Sequence, residues 1–224
     1  MAGTPTAGQT EPTRLPARGV AYLALLTLTW GANWPFISMA VEDMPVLVFR
    51  AGCALTVGVV VLGLAGLSGT SLRIPKQNWR FLALAAFFNV SLWFYLSATA
   101  VSLAPSGHIG ALAHTIPLWV FLIDTIVFGQ QPSAAKWLGL MLGLSAVIVL
   151  GMRNFQATDS SLWGVAAILA GAMSWAIGAN VVKRINFGAP VITVLGWQAL
   201  IGSVPLLIAA LPQFQEIGPI GTRA

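Results

Sequence analysis

Arg50, His114 and Asp124 stand inside long apolar stretches of this 224-residue sequence, as do Asn33, Asn89, Asn180 and Gln198. A polar or charged side chain at membrane depth is costly, so each marks a place where chemistry or a tie between helices compensates. Arg50 lies about five residues into its stretch, roughly 7–8 Å along a helix at 1.5 Å per residue. A guanidinium there can attract an anionic group, or it can snorkel outward or tie helices together through backbone carbonyls. The structural uses are favoured. His114 falls near the middle of its stretch, where an imidazole can line a solute path, carry a proton, or stay neutral and bond a neighbouring helix. Asp124, near the end of the same stretch, is expected to pair with a basic residue rather than to couple protons. The four amides are expected to bond between helices first and to contact a solute second.

Spacing adds one more pattern. Gly107, Gly110, Ala111 and His114 recur at i, i+3, i+4 and i+7 and so share a helix face. Small residues there allow close helix packing or room for a ligand. Trp30, Trp34, Trp93, Trp119, Trp175 and Trp197 are candidates for an aromatic pocket, with two at most expected to touch a ligand.

The elements that must position these residues are membrane spans. Only 8% of residues are charged, 57% are hydrophobic, and the mean hydropathy is +0.84. Seven stretches, near 20–40, 45–67, 79–101, 105–128, 135–152, 161–182 and 190–212, are each about long enough to cross a hydrocarbon core of roughly 30 Å as a helix. Backbone groups in lipid must pair internally, so the expected class is an all-α membrane protein of about seven transmembrane helices. Trp79, Trp137 and Trp163 each open a span, as interfacial aromatics do.

Residues 1–19 are rich in Pro, Thr, Gly and Ala and read as a disordered cytoplasmic tail. A cleaved signal peptide is disfavoured, because the first apolar run is long and is interrupted at Gly31-Ala32-Asn33-Trp34-Pro35. Basic residues Arg14, Arg18, Arg73, Lys76, Arg80, Lys136, Lys183 and Arg184 fall on one side of the alternating spans, which predicts a cytoplasmic N-terminus. The net charge of +5 is therefore read as topology and not as nucleic-acid binding. Cys53 is the single cysteine, so no internal disulfide or CxxC metal site exists. HExxH and GxxxxGK[ST] are missing, and no cofactor, metal or catalytic residue is expected.

An internal repeat is suggested. Trp30 precedes Pro45 by fifteen residues, and Trp175 precedes Pro190 by fifteen. Gly31-Ala32-Asn33 has an offset echo in Gly178-Ala179-Asn180. A five-span unit, being odd, forces its second copy to enter from the opposite face, which is an inverted repeat. The expected organisation is a tail over 1–19, a complete five-helix repeat over 20–152, and two helices of a second, inverted repeat over 153–224. Two five-span units need three further helices, so the chain reads as shortened.

Leu28-Thr29-Trp30-Gly31-Ala32-Asn33-Trp34-Pro35-Phe36 resembles the opening helix of the EamA branch of the drug/metabolite transporter superfamily. Arg50 resembles that family's early arginine in span two. Ala104 through Pro117 resembles its fourth span, Leu138 through Gly151 its glycine-spaced fifth, and Ser174-Trp175-Ala176 with Lys183-Arg184 the start of its second repeat. Gln130 stands after Gly129 where the family commonly has Glu. The resemblance implies an alternating-access secondary transporter, an exporter or permease of small metabolites or drugs, in an inner (plasma) membrane.

Its implied partners are a small-molecule substrate, the lipid bilayer and a proton or substrate gradient; homo-oligomer formation stays open. The substrate-path candidates are Trp30, Asn33, Trp34, Asn89, Gly110, His114, Trp175 and Asn180, with Arg50 and Asp124 as charged candidates within the membrane. The alternatives are a non-transporting remnant of such a transporter, or less favoured a receptor or membrane enzyme. A remnant is expected to insert, self-associate and carry no solute.

Overall fold

The computed structural model describes residues 17–154 and 159–216, and among these there are helices and no strand. The helices are α1 Ala17–Asp43, α2 Val46–Leu67, α3 Trp79–Ala86, α4 Trp93–Leu103, α5 Ser106–Ala113, α6 Ile116–Ile126, α7 Ala134–Asn154, α8 Asp159–Arg184 and α9 Val191–Ala210. A π-helical segment, Phe87–Leu92, joins α3 to α4, so these form one continuous rod.

Six helical stretches are long and apolar enough to cross a membrane. The seventh expected span is helical as α7, but its apolar part, Ala134–Val149, is shorter than the rest. The chain falls into two compact units, Met1–Asn33 and Trp34–Ala224. In the first, the described residues are the leading part of α1. There the Thr27 and Thr29 hydroxyls donate to the Leu23 and Leu25 carbonyls at 2.8 and 2.9 Å, hiding their polar groups against the helix's own backbone. The tail expected over 1–19 lies almost wholly outside the described residues.

The first span, expected near 20–40 as one stretch, is one helix, and α1 continues through Pro35. Two readings of the sequence need correcting. The fourth span is not one helix. It stops at Ala113, turns through His114 and Thr115, and restarts as α6. Pro117 is the physical cause, since it has no N–H to give the Ala113 carbonyl. The turn is closed instead by shorter-range bonds, His114 N–H to Ala111 and Thr115 N–H to Leu112 at 3.2 and 3.0 Å. The third span is not uniformly α-helical, because of the π segment.

Pro45, Pro105 and Pro190 cap α2, α5 and α9. Proline has no N–H, and the N–H groups of a helix's first turn find no acceptor within the helix, so it opens helices at little loss.

Within the second unit, packing is set by small residues. A Cβ added to Gly58 of α2 would meet the Leu200 backbone nitrogen of α9 at 2.7 Å, and one added to Gly196 would meet Leu62 at 2.8 Å. As numbering rises along α2 it falls along α9, so the two helices cross antiparallel. On α8, Gly164, Gly171 and Gly178 recur every seven residues and so share one face. They receive Ala104, then Leu96 and Trp93, then Asn89 of the third span. Trp34 and Ile37 of α1 join Ala98, Val101, Ile109, Leu112 and Ile168 in a buried apolar cluster.

One end of this unit is tied by loops. Thr193 Oγ1 donates to the Ser71 carbonyl at 2.8 Å, Trp197 Nε1 to Leu72 at 3.0 Å, and Asn78 Nδ2 to Asn186 at 2.9 Å. The segments holding Arg73, Lys76, Arg80, Lys183 and Arg184 therefore gather at the same end.

Candidate functional site: a groove between α3, α6 and α8

Phe81 and Leu84 of α3, Trp119 through Ile126 of α6, and Met173 through Arg184 of α8 enclose a groove of about 650 Å³. Its walls are aliphatic and aromatic side chains, with Asn180 and Arg184 as the polar exceptions beside the Trp119 indole. On α6 it runs from Trp119 to Ile126, about 10 Å of helix.

The groove's basic end is a small charge cluster. Lys183 Nζ stands 2.8 Å from Asp124 Oδ2, and Arg184 Nη2 stands 2.6 Å from Asp124 Oδ1. Arg184 Nη2 also lies 3.4 Å from Asn180 Oδ1, and the guanidinium covers the Phe128 ring at 3.2 Å from its centroid. Asp124 sits near the C-terminal end of α6, where the helix dipole disfavours a carboxylate. The two cations, at the C-terminal end of α8 where the dipole favours them, offset that. Gly129 turns the chain at φ 62°, a left-handed value, and the Gln130 N–H closes back on the Asp124 carbonyl at 3.1 Å.

A second polar centre lies on the π segment. Asn89 Nδ2 donates to Gln198 Oε1 at 3.0 Å, Ser91 Oγ donates to the Gly202 carbonyl at 2.7 Å, and Ser174 Oγ donates to the Phe88 carbonyl at 2.7 Å. The π turn is thus held by α9 and by α8. Asn89 Oδ1 and Gln198 Nε2 stay buried with no hydrogen-bond partner among the described residues.

Of the expected path residues, only Asn180 lines the groove; its Nδ2 donates to the Ala176 carbonyl at 3.2 Å. Asn89 takes part in the polar centre instead. Trp34 is buried, edge-on to Trp93 with centroids 6.3 Å apart, and its indole fills the space beside Gly110. Gly110 is thus occupied by packing, while Gly107, Ala111 and His114 are exposed. His114 Nδ1 lies 2.7 Å from the Gly110 carbonyl one turn back. Trp175 is half-buried on α8 and is not a groove residue. Trp30 and Asn33 belong to the first unit, on α1.

Arg50 is buried and donates from Nη2 to Ser97 Oγ at 2.8 Å, with its guanidinium 4.9 Å from the Phe94 centroid. It ties α2 to α4 through a hydroxyl and an aromatic face, not through backbone carbonyls. Sequence reasoning missed the aliphatic groove residues and the glycine row of α8. Three glycines at seven-residue spacing were the signal for the row.

Among the described residues no group of three or more His, Cys, Asp or Glu could hold a metal ion. Within Trp34–Ala224 the described helices enclose an apolar groove with one charged end. The EamA-like transporter family matches residues 17–152, and this chain belongs to it.

The chain is 29% identical over 192 residues to the uncharacterized transporter YvbV of Bacillus subtilis (strain 168), covering 86% of this chain and 62% of that one. It is 28% identical to the uncharacterized inner membrane transporter YedA of Escherichia coli (strain K12), over 88% of this chain and 62% of that one. It is 29% identical to the aromatic amino acid exporter YddG of Ancylobacter novellus, over 69% of this chain and 51% of that one. The chain thus spans under two thirds of the length of these relatives. A crystal structure of a protein 22% identical to it superposes with a TM-score of 0.59, over 90% of this chain and 71% of that one, and shares the fold.

Proposed function

We propose that this chain carries small organic solutes across an inner membrane by alternating access, with the α3–α6–α8 groove as part of the solute path. Family membership supports a membrane transporter of small molecules. One structural observation carries the finer reading. α2 and α9, each opened by a proline that follows a tryptophan by fifteen residues, cross antiparallel at Gly58–Leu200 and Gly196–Leu62. That is the relation an inverted repeat requires of equivalent helices. It supports one unit over 20–152 and the start of a second over 153–224.

The break at His114–Thr115 and the π turn at Phe87–Leu92 interrupt the two spans that lead toward the groove. Interrupted helices are where membrane bundles flex and where transporter sites are built. The basic end, with Arg73, Lys76, Arg80, Lys183 and Arg184, faces the cytoplasm in this reading. Energy comes from an ion or solute gradient.

The test is flux into proteoliposomes with a panel of labelled solutes. Aromatic amino acids head the panel, because the similar YddG is named as their exporter. Saturable flux that falls at least about tenfold, ~1.4 kcal/mol, in Trp119→Ala and in Asn180→Leu is expected. Inserted, folded protein without saturable flux of any solute assigns the chain to a bundle that carries no substrate.

A further inference from the structure

The groove's charge does not balance. Asp124 faces two cations, Lys183 and Arg184, so the cluster keeps one positive charge. Arg80 is a further cation on α3, its guanidinium 4.6 Å from the centroid of Phe81, which lines the groove.

The donors do not balance either. Both hydrogen bonds of Arg184 leave from Nη2, so Nη1 and Nε donate to nothing among the described residues. The Arg184 side chain is 29% exposed, and the residue lines the groove. Each remaining N–H group can give a carboxylate one charge-assisted hydrogen bond. About five residues deeper along α6, Trp119 also lines the groove, and its buried indole N–H has no acceptor among the described residues. Every group left over is a donor or a cation. The remaining walls are apolar.

We propose that the groove selects an amphipathic organic anion, with an apolar body along α6 and α8 and a carboxylate-sized head on Arg184. This rests on the reading of the groove as a solute path and names its substrate class. A membrane phospholipid has the same two parts. A soluble anion is the occupant expected of a solute path, and the lipid is separated from it by experiment.

The experiment is equilibrium binding to the purified chain in phosphatidylcholine nanodiscs. The probes are tritiated 3-phenylpropionate, its neutral amide, and phenethylamine, three bodies alike in size but not in charge. The acid is expected to bind at least about tenfold more tightly than the amide, as a charge-assisted bond to Arg184 requires, and the amine most weakly. Arg184→Gln should reduce the preference for acid over amide to about threefold or less.

Arg184 also braces the fold through Asp124, so a second variant keeps the test decisive. Asp124→Asn keeps an acceptor of similar shape but frees both cations, and it should tighten acid binding by about threefold or more. A merely structural role for the cluster predicts weaker binding in both variants, and that result in folded Asp124→Asn overturns the proposal.

Two other outcomes also overturn it and are distinguishable. Equal binding of acid and amide, both lost in Trp119→Ala, leaves the solute path standing and removes the charge selection. Absence of binding for all three probes removes both. Competitive loss of acid binding in discs containing phosphatidylglycerol would identify a lipid as the occupant and defeat the choice of a soluble anion.

Discussion

Asn89 donates from Nδ2 to Gln198 Oε1 at 3.0 Å and so joins the π turn of the third span to α9. Among the described residues each amide keeps one buried polar atom without a partner, so the pair is bonded on one side only. Amide pairs between helices in lipid couple by about 0.6 kcal/mol on average and up to ~1.7. A double-mutant cycle with Asn89→Ala and Gln198→Ala, followed by unfolding in mixed micelles, is expected to return a coupling in that range. Additive single effects would mean that the bond contributes nothing.

Gly178 faces that same asparagine. A methyl group added there would overlap the Asn89 side chain, whereas one added to Gly63 of α2 meets nothing within 4 Å. Overpacking a fitted interface costs typically ~1–3 kcal/mol, and alanine in open space raises helix propensity slightly. Gly178→Ala should therefore lower the unfolding midpoint markedly and Gly63→Ala should not. Equal effects would show that the third span and α8 do not pack as described.

Arg50 is a tie and not a groove residue. Its charge costs about 2.5–3.5 kcal/mol at the centre of an inserting helix, and less toward its end, while methionine of similar length costs far less. The tie it makes is one hydrogen bond to Ser97 and one aromatic contact with Phe94. Arg50→Met is expected to improve insertion of α2 in a translocon assay and to leave solute flux within about threefold of the wild type. A loss of flux with intact folding would move Arg50 from structure to the solute path.

Much of this architecture could be read from residue order alone. Span limits follow apolar length, so α2 at 46–67 and α9 at 191–210 fall within a few residues of 45–67 and 190–212. The partner of Asp124 was legible in kind, because a carboxylate at the end of a span needs a cation and few are within reach. The groove was not legible. Apart from Trp119, Asn180 and Arg184 its walls are leucine, isoleucine, valine, methionine and phenylalanine, which look the same whether they face lipid, another helix or a cavity. The turn at His114–Thr115 was legible in principle through Pro117, but Pro35 shows why proline alone misleads, since α1 continues through it. What separates the two is tertiary packing, which no local pattern contains.

The basic loops predict a sidedness that labelling can check. In a Cys53→Ser background, a membrane-impermeant thiol reagent applied outside should modify a cysteine placed at Glu42 and spare one placed at Lys76. Glu42 lies in the last turn of α1, and Lys76 opens the turn before α3, at the end where Thr193 and Trp197 reach the loop after α2. The reverse pattern would invert the topology and place Arg184 on the outer face.

Pro117 offers the sharpest test of the interrupted fourth span. As the second residue of α6 it cannot bond the Ala113 carbonyl, and the chain turns through His114 and Thr115 with three-residue hydrogen bonds instead. Pro117→Ala restores the missing N–H at a site where only His114 and Thr115 separate α5 from α6. The substitution should favour a continuous helix, because proline in a helix interior costs about 3 kcal/mol relative to alanine. Hydrogen exchange at the amides of residues 114–118 should then slow. If the turn flexes during alternating access, a straightened span biases the population toward one state, and a bias of ~1.4 kcal/mol would lower flux about tenfold. Slower exchange with unchanged flux would show that the turn is only a packing solution around proline. Unchanged exchange would show that tertiary contacts, such as Trp34 against Gly110, hold the turn without proline's help.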